Sequence, residues 1–224
     1  MKKIYIPTEN KEDWRKFLAD PKKQWKEFYS AYELANCWEN SKGFPCCISK
    51  IFQNSYFPLF KNLELLLAIP EYKVEFPGGT RSSQNDLFVL SKSGNELCTI
   101  MIEGKVDEDF GDHTVKSWLK DASEGKEKRL NYLREVLNLE LVNLNEIRYQ
   151  LLHRTASAII IAENFTANNA LMLVQSFSTT NNHFDDYSKF LNLYGITNSV
   201  PDKIYYIKLI KNIILYIGWV NCSI

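Results

Sequence analysis

The chain has 224 residues, 45% hydrophobic and 24% charged, a length and balance that suit one soluble domain able to bury a sizeable core. Lys plus Arg and Asp plus Glu number 27 each, so the net charge is zero. That excludes a generic polycation that coats nucleic acid, while leaving room for a local basic groove.

The opening segment reads as helical. Asp13 is positioned to cap a first helix with Trp14, Phe17 and Leu18 on one face, and Pro21 to start a second, on which Trp25, Phe28, Ala31, Tyr32, Ala35 and Trp38 recur near a 3.6 period. The tryptophans here read as packing. SKGFPCC reads as a loop, NLELLLAI as a helix ending before Pro70, and EYKVEF as a strand stopped by Pro77-Gly78-Gly79. NDLFVLS and ELCTIMIEGKV are strands joined by the turn KSGN. Residues 114–140 read as helix with a break at Gly125, and NEIRYQLLHRTASA as a helix feeding a buried strand, AIIIAENF. ANNALMLVQSF is ambiguous, HFDDYSKFLNLYG is helical, and KIYYIKLI with NIILYIGWV forms a last hairpin. The order is α, βββ, α, β, α and late strands, which predicts an α/β (α+β) fold with a mixed sheet flanked by helices. The expected layout is one domain: an N-terminal helical extension over 1–60, a core over 62–165, and a C-terminal helix and hairpin over 166–224.

Cys37, Cys46, Cys47, Cys98 and Cys222 are odd in number and unevenly spaced, and read as thiols of a reducing cytoplasm rather than a disulfide framework. MKKIYIPTENKEDW has no apolar run behind its lysines and does not read as a signal peptide. Lys208 and Lys211 interrupt the apolar C-terminal stretch, so it does not read as a membrane span.

The chemistry concentrates in SSQNDLFVLSKSGNELCTIMIEGKV, residues 82–106. Alternation puts Glu103 and Lys105 on one face of a strand with Gly104 between them. A hairpin turn around 91–95 returns Asp86 to their level. Two carboxylates suit Mg²⁺, a hard cation that prefers oxygen ligands, and a neighbouring ammonium can orient water or stabilise developing negative charge. Gly104 would let the backbone approach ion or phosphate closely. The set fits phosphodiester hydrolysis.

This D…ExK pattern across a hairpin resembles the PD-(D/E)xK nuclease superfamily. FPGGTRSSQNDLFVL and IRYQLLHRTASAIIIAENF look like a small bacterial family of unknown function assigned to that superfamily, a likeness running from about Trp25 to Phe190. The resemblance implies a restriction-endonuclease-like αβββαβ core and a metal-dependent nuclease acting on DNA. It implies Asp86 and Glu103 as ligands of Mg²⁺, with Mn²⁺ as a substitute, and Lys105 as the catalytic lysine. Asn85 stands where the superfamily's proline would be. A further acid is expected from the first core helix, with Glu64 the candidate and Glu71 the reserve. A polar helical residue is expected after the ExK strand, and Gln150 matches best.

Arg81, His153 and Arg154 are candidates for contacting phosphate, against plain readings as a turn arginine, a core histidine and a surface arginine. His113 and His183 read as surface residues. Lys116, Lys120, Lys126, Lys128 and Arg129 read first as a solvated face and second as a DNA-tracking one. No P-loop, serine elbow, zinc pairing or dinucleotide fingerprint is present. The rival function is a catalytically inactive nuclease-fold binding or interaction module, slightly favoured by the neutral charge. Expected partners are DNA, with a second copy or an unidentified protein also compatible; the expected location is the cytoplasm.

Overall fold

The computed structural model describes residues 7–222. A 3₁₀ turn at Lys11–Phe17 is followed by helices α1 (Pro21–Gln24), α2 (Ser30–Glu39), α3 (Cys46–Gln53) and α4 (Pro58–Lys61). Three consecutive strands come next: β1 (Glu64–Val74), β2 (Ser83–Ser93) and β3 (Glu96–Lys105). Both of their pairings are antiparallel, and Gly94 in the β2–β3 turn takes φ 58°, a conformation that favours glycine. Helices α5 (Val115–Trp118), α6 (Glu124–Leu137) and α7 (Tyr149–Asn164) then carry the chain to β4 (Asn169–Ser176). Because β4 runs parallel to β3, it requires such a crossover. Helix α8 (Phe184–Asn192) leads to the hairpin of β5 (Lys203–Ile210) and β6 (Ile213–Asn221), giving a six-stranded mixed sheet in the order β1-β2-β3-β4-β6-β5.

Helices cover both faces. On one, Leu133, Leu152, Ile159 and Phe190 pack with Phe88, Met101, Met172 and Trp219 of the strands. On the other, Leu34, Ile48 and Phe52 pack with Val89, Ile100 and Leu173. Strand β4, covered on both sides, is buried along its whole length, which explains the unbroken apolar run from Ala170 to Val174 without alternation.

Several expectations are corrected. NLELLLAI is the first part of β1, not a helix; a short apolar run carries no periodicity to decide between the two. Pro70 lies within β1 because β1 is an edge strand, where a missing N–H leaves no ladder bond unmade. AIIIAENF is the end of α7, and the strand role passes to ANNALMLVQSF as β4. The expected helix over 114–140 divides at residues 119–123, while Gly125 lies inside α6. There a Cβ on Gly125 would meet the Gly78 carbonyl oxygen at 2.6 Å, so the glycine serves close packing of the Pro77-Gly78-Gly79 loop. The helix expected from Pro21 breaks into α1 and α2, and SKGFPCC runs directly into α3. Asn10, not Asp13, caps the first turn. Cys47 and Cys222 form a disulfide tying α3 to the end of β6, which overturns the reading of all five cysteines as thiols; Cys37, Cys46 and Cys98 are free.

Candidate functional site

Strand register assembles the site. Pro70 and Ile102 both pair with Leu87. One step further along, Glu71 lies opposite Asp86, and Asp86 opposite Glu103, forming a row of acids across β1, β2 and β3. Alternation sends Lys105 to the same side as Glu103. The Gly104 N–H donates to Asp86 Oδ2 at 2.8 Å, so the backbone inside the Glu-Gly-Lys triplet fixes the aspartate.

Helix α7 closes the row from above. It begins beside an isolated bridge between Thr114 and Arg148, and projects Gln150 and Arg154 from one side, a turn apart. Arg154 Nε donates to Glu103 Oε2, its Nη2 lies 3.5 Å from Asp86 Oδ1, and its Nη1 donates to Ser83 Oγ at 3.1 Å. Lys105 Nζ donates to Glu103 Oε1 at 2.9 Å, to the Asp109 carbonyl at 3.2 Å and to Gln150 Oε1 at 3.3 Å. Glu103 and Lys105 are only 2% and 3% exposed. Gln84 Nε2 donates to Glu71 Oε2 at 2.8 Å. These groups line a cleft of about 440 Å³ whose far wall includes Lys23, Tyr29 and Ser30. Glu108 braces that wall by accepting from the Ser30 and Val106 N–H groups.

The charges are unevenly satisfied. Burial, then repulsion from Glu103, pushes Asp86 up to about 7. Burial, then the charge of Asp86, pushes Glu71 up to about 8. Burial also penalises Glu103, but the Arg154 and Lys105 cations outweigh it and hold its carboxyl below the usual range. The row therefore has more acid than its own cations neutralise. His153 is held well below its ordinary value by burial, then by Arg154, Arg129 and Lys105, so it is neutral at physiological pH.

Asp86, Glu103, Lys105, Gln150 and Arg154 thus converge as expected. His153 faces an adjoining cleft, where its Nδ1 lies 2.7 Å from Ser83 Oγ, and Arg81 lies on the rim of the same cleft. Glu64 does not join them. It sits at the opposite end of β1 on an exposed position and pairs with Lys92 at 3.2 Å, so it is no partner of Asp86. The reserve acid, Glu71, occupies the place instead. Arg154 is a buried counter-ion of both carboxylates rather than a surface arginine. Sequence reasoning missed that role, because its partners Asp86 and Glu103 lie on distant strands. His183 is half-buried at the start of α8 and reaches the Asp107 carbonyl at 2.9 Å. It groups with Asp109 and Asp186, but Arg148 already pairs with those acids at 2.8 and 2.7 Å.

A family model described as a domain of unknown function, DUF6946, matches residues 7–223. The chain belongs to the DUF6946 family. No curated protein and no solved structure matches it.

Proposed function

We propose that this DUF6946 protein is a divalent-cation-dependent nuclease of the PD-(D/E)xK type, hydrolysing phosphodiester bonds in DNA. The observation that carries the reading is that Asp86 and Glu103 share one guanidinium, Arg154, with Lys105 on the far oxygen of Glu103. The strand order supports the βββαβ part of a restriction-endonuclease-like core: an antiparallel β1-β2-β3, then a helical crossover to β4 parallel to β3.

The donor chemistry of the acid row suits Mg²⁺ or Mn²⁺; its three carboxylates do not stand within 4.8 Å of one another, as Asp109, His183 and Asp186 do, so a bound ion would draw them together. Asp86, Glu103 and Glu71 offer hard carboxylate oxygens, and burial followed by mutual repulsion raises the proton affinity of Asp86 and Glu71, a cost that a bound cation would relieve. A bound ion would lower the pKa of a water and neutralise phosphate charge. The chain's own groups prepare the rest. Gly104 N–H and Arg154 fix Asp86. Gln150 and Glu103 hold the Lys105 ammonium where it can orient a water or stabilise developing negative charge. Cytoplasmic DNA is the proposed substrate, and a second copy would supply the second site that duplex cleavage needs. In a reducing cytoplasm the Cys47–Cys222 pair would stand against the ambient poise.

One observation favours a second reading. Arg154 and Lys105 already neutralise Glu103, as in an interaction module that keeps the ion cluster for structure and needs no metal. Cleavage of end-labelled single- and double-stranded DNA with Mg²⁺, Mn²⁺ or EDTA separates the two. The nuclease reading expects cation-dependent cleavage by wild type and none by Asp86→Asn. Absence of cleavage together with absence of cation binding by wild type would establish the module.

A further inference from the structure

Beside the acid row lies a second cleft, of about 340 Å³, which shares Gln84, Gln150 and Arg154 with the first. The two differ in charge. The first is lined by Glu71, Asp86, Glu103 and Glu108, whereas the second contains Arg81, Arg129 and Arg154 and no carboxylate among its lining residues. We propose that this second cleft is a phosphate-binding subsite that holds a phosphate of the nucleic-acid strand next to the one over the acid row. The proposal rests on the nuclease reading for its substrate class.

The cleft presents hydrogen-bond donors. Arg154 Nη1 can only donate, so Ser83 Oγ accepts from it at 3.1 Å. Ser157 Oγ donates to the His153 carbonyl at 2.7 Å. For the Ser83 hydroxyl proton His153 Nδ1, at 2.7 Å, is a much nearer acceptor than Ser157 Oγ, at 3.4 Å. That shorter contact places the imidazole proton on Nε2, which makes no hydrogen bond among the described residues, and His153 is one of the residues lining the cleft. Arg129 is anchored by donating to the Phe76 and Pro77 carbonyls. A Cβ on Gly79 would come within 2.9 Å of Arg129 Nη2, so the glycine lets the loop lie against the guanidinium. Arg81 is exposed and has no ion-pair partner among the described residues.

The aromatic wall decides between phosphate and base. Trp118 stacks on Tyr149 with ring centroids 4.1 Å apart and planes 12° off parallel. Lys126 lies over the Trp118 ring at 5.5 Å and His153 against Tyr149 at 5.0 Å. The neighbours on this ring column are already in place, so a nucleobase finds no open stacking platform, whereas an oxyanion finds guanidinium and imidazole donors.

The test is metal-free binding in EDTA, by fluorescence anisotropy of a labelled short oligonucleotide, to wild type, Arg81→Gln and Arg81→Glu. Arg81 is exposed, so neither variant threatens folding. The proposal expects inorganic phosphate to compete with the oligonucleotide. It expects Arg81→Glu to weaken binding about three- to tenfold and both variants to lower the salt dependence by about one phosphate contact. Oligonucleotides with 5′-phosphate, 3′-phosphate or hydroxyl ends identify the source. A preference for one phosphorylated end assigns a terminal phosphate, and equal binding assigns an internal phosphodiester. Oligonucleotide binding unaffected by phosphate and by both substitutions would overturn the subsite. Binding of this kind without cation-dependent cleavage would overturn the nuclease reading and leave the subsite standing.

Discussion

Glu103→Gln removes the most deeply paired charge of the site while preserving side-chain shape. Glu103 is 2% exposed and accepts from Lys105 at 2.9 Å and from Arg154. Breaking a buried ion pair by neutralising one partner costs about 3–5 kcal/mol, because the remaining charge is left uncompensated. Here part of that loss is returned. Glu103 repels Asp86 and helps hold its pKa near 7, so the substitution lets Asp86 ionise and serve Arg154. Each tenfold gain in acidity is about 1.4 kcal/mol, and a net loss of about 2–4 kcal/mol near neutral pH follows. Urea unfolding followed by circular dichroism measures it, with an unchanged slope showing that the folded state is otherwise intact. Carboxyl-carbon NMR should show Asp86 titrating at lower pH in the variant. A loss below about 1 kcal/mol, the level of an exposed pair, or an unmoved Asp86 would refute this reasoning.

The pH dependence of the metal-free protein follows from the same charges. Asp86 and Glu71 bind protons more tightly folded than unfolded, with values raised to about 7 and about 8. The stability they contribute is present below the usual carboxylate range and is lost as pH rises through those values. Glu103, held below its ordinary value, acts oppositely and loses its contribution as pH falls through the acid range. Thermal melts in EDTA between about pH 5 and 8 should fall with pH more steeply in wild type than in Asp86→Asn; parallel curves would contradict the linkage. Gly125→Ala should destabilise by about 1–3 kcal/mol despite better helix propensity, since the added carbon would meet the Gly78 carbonyl at 2.6 Å, and a raised melting temperature would contradict that packing. Cys47→Ser should cost about 2–5 kcal/mol in oxidised protein, because the Cys47–Cys222 bond spans 175 residues; peptide mapping that finds both thiols free would contradict the pairing.

The parts legible in the sequence are those with local signals. The Gly94 hairpin fixes the β2–β3 register, and with it the approach of Asp86 to Glu103 and Lys105. Gln150 and Arg154, four residues apart, fall on one side of any helix that contains them. What failed lacked a local signal. The apolar run 65–69 is the same in a helix or an edge strand, so nothing local separates Glu64 from Glu71, and only the pairing of Pro70 with Leu87 and of Tyr72 with Asn85 brings Glu71 level with Asp86. The run 158–165 had the same ambiguity, settled by helix α7 continuing across it. The burial of Arg154 and the Cys47–Cys222 pairing are tertiary contacts between distant segments, which no spacing encodes.

The proposed nuclease activity requires that Asp86, Glu103 and Glu71 hold a divalent cation. Its most direct test is calorimetric titration of Mn²⁺ and Mg²⁺ into metal-free wild type, Asp86→Asn, Glu71→Gln and Glu64→Gln. The account predicts binding by wild type and by Glu64→Gln, weakened binding by Glu71→Gln, and none by Asp86→Asn. A wild type that takes up neither cation, or an Asp86→Asn variant that binds as wild type does, would contradict it.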